Sequence, residues 1–291
     1  MWDRMNKFVH SHVIISACIL SVIFSPVLAG ISILAANMTS SGRLTVFTIV
    51  KLVLSVIVIW LMRIMQVFNT SDFNFDKTRK GVFLTCVGSV FAIIGLLYIF
   101  VQLPENRFIA PNPFDFVIVA LSQLIGAGIF EEVLYRGFIF KILLKKLGHS
   151  KRGIINACVI SSVIFGMVHI TNIVDIAINA EHLSVGVILP IVSQIIFATA
   201  FGLLVVALFL RSGTLWIPIL IHGVGNLVVQ TFVAFISRDR ILQFVQTPVE
   251  MSAPEFIIST LMSTIPLLVA GLVLLRKVKP DEIPDKIPEH S

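Results

Sequence analysis

Glu131 and Glu132 stand side by side inside the long apolar stretch from Phe114 to Leu144, and Arg136 follows four residues after Glu132. A charged group at that depth in a membrane helix costs roughly 2.5–3.5 kcal/mol on insertion scales, so such a run marks a functional site facing a bundle interior. Glu132 and Arg136 share a helical face at i, i+4, in the favoured order for an ion pair, and can neutralise each other. Glu131 is turned by about 100° from Glu132 on an α-helix. Its own neighbours at i±4 are Ala127 and Tyr135, and neither can neutralise a carboxylate. It must therefore face a polar group or water supplied by another element. His169, and the i, i+4 pair His222 and Asn226, lie in later apolar stretches. A carboxylate, two imidazoles and an amide can act on water by general acid–base chemistry and can supply donors for a developing negative charge.

The elements that must position these groups are membrane spans. The 291 residues are 57% hydrophobic and only 13% charged, with a mean hydropathy of +0.98. A soluble domain carries about 25% charged residues. A hydrocarbon core takes roughly 20 apolar residues per helix. This predicts about eight spans, near 12–36, 44–66, 82–103, 114–146, 152–171, 185–210, 215–236 and 255–275. The expected fold is an all-α, polytopic transmembrane helix bundle. Three N-terminal spans occupy 1–113, a core 114–236, and a last span with a cytoplasmic tail 237–291.

The fourth span is longer than a membrane needs, which sends its last turns, with Lys141, Lys145 and Lys146, into the cytoplasm. Arg4 and Lys7 precede an apolar run that could open a signal peptide, but the run continues to Ala36 and suits an uncleaved first span. Pro280, Pro284 and Pro288 among charges predict a disordered tail.

Lysine and arginine placement sets the orientation. With the N-terminus inside, inner ends and loops hold 16 Lys/Arg and outer loops hold 4. Both termini are then cytoplasmic. Lys51 falls inside the second span, a turn or two from its outer end, and is read as a snorkelling structural residue. The net charge of +6 sits at span ends, where topology explains it, so no nucleic-acid partner is expected. Cys18, Cys86 and Cys158 lie in apolar stretches with no CxxC spacing.

The polar groups can meet at one depth. Glu131 is 14 residues from Lys145, His169 is 17 from Arg152, and His222 is 11 from Arg211. At 1.5 Å per residue these are roughly 21, 26 and 17 Å, all in the mid-membrane zone. A lone buried histidine is more often a satisfied core residue than a catalytic one. Two histidines, an asparagine and an unpaired glutamate on separate spans must instead meet one another, because unsatisfied polar groups in hydrocarbon are costly.

Glu131-Glu132-Val133-Leu134-Tyr135-Arg136 resembles the EExxxR signature of the CAAX-protease and bacteriocin-processing family of intramembrane proteases. Phe165-Gly166-Met167-Val168-His169 resembles its FxxxH motif, and His222-Gly223-Val224-Gly225-Asn226 its HxxxN motif. The three occur in order on three spans, and the resemblance covers about 114–236. It implies an intramembrane endopeptidase acting on a membrane-associated peptide or protein. In that reading Glu131 activates water as general base, with His169 positioning or polarising it. His222 and Asn226 stabilise the oxyanion, and Glu132 and Arg136 support them. Gly126, Gly128, Gly137, Gly166, Gly223 and Gly225 flank the motifs and suit close helix packing in lipid.

Other chemistries stay open at this point. No cofactor is expected, but Glu131, His169 and His222 are the ligand types of a His₂Glu zinc site, although HExxH is absent. Cys158 lies eleven residues before His169 on the same helix, about 16 Å away, too far for a dyad. A non-catalytic membrane adaptor or immunity protein, or a proton-coupled carrier, could use the same buried cluster. A carrier more often shows repeated halves or broken helices, and neither is visible. The expected location is an integral protein of a bacterial plasma membrane, in contact with lipid.

Overall fold

A computed structural model describes residues 9, 11–35, 38–77, 113–171, 185–236 and 253–278. The expected third span at 82–103, most of the segment near 237–254 and the tail beyond Lys279 lie outside the described residues.

The described residues form helices and short turns, with no strand among them. Five helices are long and apolar enough to cross a membrane: Ser41–Ile64, Phe116–Leu147, Lys151–Thr171, Ile188–Ser212 and Ile257–Arg276. Two shorter apolar helices, Val13–Val22 and Trp216–Leu227, fall at two further expected spans. The protein is a polytopic helical membrane bundle, and the approximate span count agrees with this.

Local sequence explains where helices start and break. The first expected span is divided into α1 (Val13–Val22) and α2 (Ser25–Leu34). Pro26 has no N–H to give to the Val22 carbonyl, which favours a break there. Helix α3 (Ser40–Ile64) begins at Thr39, whose hydroxyl accepts from Gly42 N at 3.2 Å, a side-chain cap for an orphan donor. It ends at Gln66, which adopts a left-handed φ of 55°.

The fourth expected span is one helical rod with an irregular middle. It runs as α4 (Pro113–Leu121), two π-helical segments (Ser122–Glu131 and Val133–Ile139) and α5 (Phe140–Leu147). Helix α6 (Lys151–Met167), capped by Ser150, tightens into a 3₁₀ turn over Val168–Thr171. Then come α7 (Val185–Ser212), α8 (Trp216–Ile236) and α9 (Ala253–Arg276).

The core lies between the rod, α6 and α7. Phe138, Ile139, Phe140, Ile142 and Leu143 are buried, as is the continuous run from Leu203 to Leu208. A helix buried all round in this way is central to its bundle. Helix α7 packs against α6 and α9, while α3 and α8 pack against the first π-helical segment. The outer face of α9 is apolar and exposed at Ile257, Ile258, Leu261, Met262, Ile265, Val269, Leu272 and Val273. That stripe suits lipid contact and would be a liability in water.

Lys141, in the last turns of the rod, is paired with the segment that follows α3. Its ammonium lies 2.5 Å from Asp72 Oδ2 and 3.2 Å from the Val67 carbonyl. A buried carboxylate after α3 offers it a better partner than open solvent.

Candidate active site

The site is built where α8 crosses the first π-helical segment. Two glycines allow the approach. A Cβ on Gly128 would stand 2.9 Å from the Ile219 carbonyl and 3.4 Å from Gly223 Cα. A Cβ on Gly223 would meet Leu124 Cα at 3.1 Å. The backbones therefore touch at a point where larger residues could not sit, as small residues permit in lipid-embedded bundles. This crossing delivers His222 to the glutamate pair.

His222 Nδ1–H donates to Glu132 Oε1 at 2.6 Å, and its Nε2 lies 4.0 Å from Glu131 Oε2. The imidazole thus stands between the two carboxylates. On a regular α-helix Glu131 and Glu132 point about 100° apart, which favours separate neighbours. Here π-helical segments flank Glu132, and both carboxylates lie within 4.0 Å of the one imidazole of α8. Such π turns are rare and recur at functional sites.

Glu132 is fully buried and Arg136 almost so. Arg136 Nη1 lies 3.1 Å from Glu132 Oε1, the i, i+4 pair expected from spacing. The guanidinium carbon sits 4.2 Å from the centroid of the Phe165 ring, a cation–π contact. Glu132 Oε2 and both terminal nitrogens of Arg136 have no hydrogen-bond partner among the described residues. Charge and ring contact, rather than a complete set of hydrogen bonds, hold this arginine.

Glu131 differs from its neighbour by being reachable. Its side chain is 22% exposed, against 0% for Glu132, so of the two only Glu131 has an accessible face. It also has a partner that sequence reasoning missed. Lys51 Nζ, from α3, lies 3.6 Å from Glu131 Oε1. A signal was present: Lys51 is the sole charged residue between Arg43 and Arg63, and Glu131 lacked a helical partner. Nothing in the spacing could say that the two spans touch.

His169 sits in the 3₁₀ turn ending α6. Its Nδ1–H donates to the Phe165 carbonyl at 3.1 Å, which makes Nε2 the acceptor of the neutral ring. Phe165 organises the cluster. Its ring meets His169 edge-on at 5.4 Å, His222 at 5.8 Å and Tyr135 at 4.9 Å between centroids. Phe201 from α7 closes over His222 at 5.0 Å.

Asn226 is half-buried one turn along α8 from His222. It makes no hydrogen bond to Glu131, Glu132 or His169 among the described residues. The structure therefore brings Glu131, Glu132, Arg136 and His222 into direct contact, places His169 against the same phenylalanine, and leaves Asn226 beside them.

The residues fit zinc poorly as they stand. Among the described residues no three of His, Cys, Asp and Glu are grouped to hold a metal ion. Glu131 and His222 are 4.0 Å apart, and Glu131 is occupied by a lysine. Cys158 is buried on α6 and takes no part in the cluster.

A helical membrane bundle with an accessible carboxylate, a buried ion pair and two histidines at one crossing belongs to the class of polytopic membrane proteins with an intramembrane polar site. Residues 113–228 match the family described as Type II CAAX prenyl endopeptidase Rce1-like. This segment is similar to the CAAX protease family. No curated protein and no solved structure matches the chain. The matched segment holds all six polar motif residues but not α3, the source of Lys51.

Proposed function

We propose that the protein is an intramembrane endopeptidase that hydrolyses a peptide bond of a membrane-associated substrate, using water activated by Glu131. The observation that carries this reading is the single imidazole of His222 set between two carboxylates of unlike exposure. Glu132 is spent on Arg136 and His222, whereas Glu131 is open to water.

Glu131 Oε2 takes a proton as the water oxygen attacks the substrate carbonyl carbon. His169 Nε2, left as an acceptor by the Nδ1–H bond to Phe165, orients that water by accepting a hydrogen bond from its other O–H. His222, held by Glu132, presents its Nε2 edge to the site and in its protonated form donates to the oxyanion. Asn226 supplies a second donor from the next turn. Collapse of the tetrahedral intermediate breaks the C–N bond, and the proton held by Glu131 passes to the leaving amine. A protonated base that returns its proton to the leaving group is the ordinary economy of peptide hydrolysis. The family description favours prenylated C-terminal peptides as one substrate class; apolar leader peptides and membrane-protein segments are others. The lysine and arginine asymmetry supports cytoplasmic termini, which reporter fusions at each terminus would test.

The test is cleavage of a peptide library in proteoliposomes, with prenylated, leader and transmembrane members. Wild type is run beside Glu131→Gln, each with and without a strong chelator. Loss of at least about 10²-fold in Glu131→Gln is expected, the usual worth of a general base, with activity kept in chelator. Normal turnover in Glu131→Gln would end the glutamate reading, and loss in chelator would restore zinc held by Glu131, His169 and His222. No cleavage of any member by wild type would favour an adaptor or a carrier.

A further inference from the structure

We infer that Lys51 is a positioning residue for Glu131: its ammonium holds Oε1 and so leaves Oε2 aimed at the His222 side of the site. This rests on the proposal that Glu131 is the base.

Three observations carry it. First, the two oxygens of Glu131 have different neighbours. Oε1 lies 3.6 Å from Lys51 Nζ, and Oε2 lies 4.0 Å from His222 Nε2. Both distances lie beyond direct hydrogen-bond reach, but the nearer contact, to a full cation, falls on Oε1 and leaves Oε2 as the oxygen facing the histidine. A glutamate carboxyl otherwise turns freely about its last torsion; a cation on one oxygen removes that freedom.

Second, the lysine stem follows a groove made by a missing side chain. A Cβ on Gly126 would stand 3.1 Å from Lys51 Cδ and 3.4 Å from Nζ. A snorkelling lysine would stretch along lipid toward the surface. This one lies across the rod, over the glycine one turn before Glu131. Third, Lys51 and Glu131 are exposed to similar small degrees, 24% and 22%. The pair is partly exposed and is not sealed like Glu132 and Arg136. Helix α3 therefore completes a site whose other polar residues all lie within 113–228.

The experiment uses the full chain in proteoliposomes and the best-cleaved peptide from the library. Lys51→Met is expected to lower kcat by about 10- to 100-fold with KM held within about twofold, the signature of a misplaced catalytic group. Lys51→Arg should recover most of the loss, because it restores a cation to Oε1. Gly126→Ala should repeat the loss by displacing the stem, and the double variant Lys51→Met/Gly126→Ala should be no worse than Lys51→Met alone.

Wild-type kcat in Lys51→Met, with Glu131→Gln inactive, would overturn the positioning role and spare the glutamate base. A raised KM with kcat unchanged would also overturn it, since Lys51 would then bind substrate. Activity in Glu131→Gln would instead sink the base itself. An arm without turnover compares melting of Lys51→Met, Glu131→Gln and both together. Non-additive shifts are expected of groups in contact, and additive shifts would remove the contact on which the inference stands.

Discussion

Two glutamates with adjacent numbers have unlike surroundings, and this decides what each can do. Glu132 contributes nothing to water because it has none; it meets Arg136 at 3.1 Å and His222 at 2.6 Å. Removing the arginine would leave a buried carboxylate with the histidine as its remaining partner. Arg136→Ala should therefore cost about 3–5 kcal/mol, the range for breaking a buried pair, read as a lower melting temperature and lower folded yield. Arg136→Lys should restore only part of this, because an ammonium lacks the flat face that the guanidinium lays on Phe165. A melting temperature unchanged in Arg136→Ala would mean that His222 alone satisfies Glu132. At the same scale, Glu132→Gln should lower kcat, since a neutral amide oxygen holds the His222 Nδ1–H less firmly than a carboxylate does, and it should lower the melting temperature by stranding Arg136. Wild-type kcat in Glu132→Gln would count against the first role.

Helix crossings set the distances within the site. Gly128 and Gly223 let α8 ride directly on the backbone of the rod, and both glutamates meet its histidine. Gly223→Val should push the helices apart by the volume of its side chain against Leu124 Cα, 3.1 Å from where a Cβ would stand. A displacement near 1 Å at a catalytic group can cost about 10²-fold, so activity should fall by that order while insertion persists. Wild-type turnover in Gly223→Val would show that the crossing tolerates spacing. Gly166 makes the corresponding approach of α6 to α7. A Cβ there would lie 2.0 Å from Thr199 Oγ1 and 2.8 Å from the Ile195 carbonyl. The backbone carbonyl cannot rotate away as the hydroxyl can, so Gly166→Ala should lower the melting temperature even in a Thr199→Ala background.

Across the whole molecule, the segment following α3 ties one end of the bundle together. The Asp72 carbonyl accepts from Leu215 N at 2.6 Å and from Thr214 Oγ1 at 3.0 Å. Trp216 Nε1–H donates to the Phe73 carbonyl at 2.9 Å. With the Asp72–Lys141 ion pair, this strap joins the start of α8 to the last turns of the rod, the two elements that carry His222 and Glu132. Asp72→Ala should cost about 3–5 kcal/mol by stranding the Lys141 ammonium. The double variant Asp72→Leu/Lys141→Met should melt above Asp72→Ala, because apolar replacement of a buried pair leaves no uncompensated charge. A double variant less stable than either single change would show that the strap needs its charges for more than mutual neutralisation.

Much of this was legible in the residues themselves. Hydropathy determines membrane spans because every backbone polar group in lipid must be satisfied within a helix. The spacing of Glu132 and Arg136 determines their pairing, since i, i+4 is a local property of any helix. The three motifs place the site on three spans. Pro26, which divides the first expected span, shows that even a local rule can be outweighed by hydropathy when a boundary is drawn. Only the tertiary structure decided which span lies against which. It put Lys51 on Glu131, drew Lys141 back to Asp72 and turned both glutamates to one histidine. Those contacts join residues 69 to 91 positions apart, and no periodicity carries information across that separation. They depend on where Gly126, Gly128 and Gly223 let backbones meet, which is a property of two helices at once.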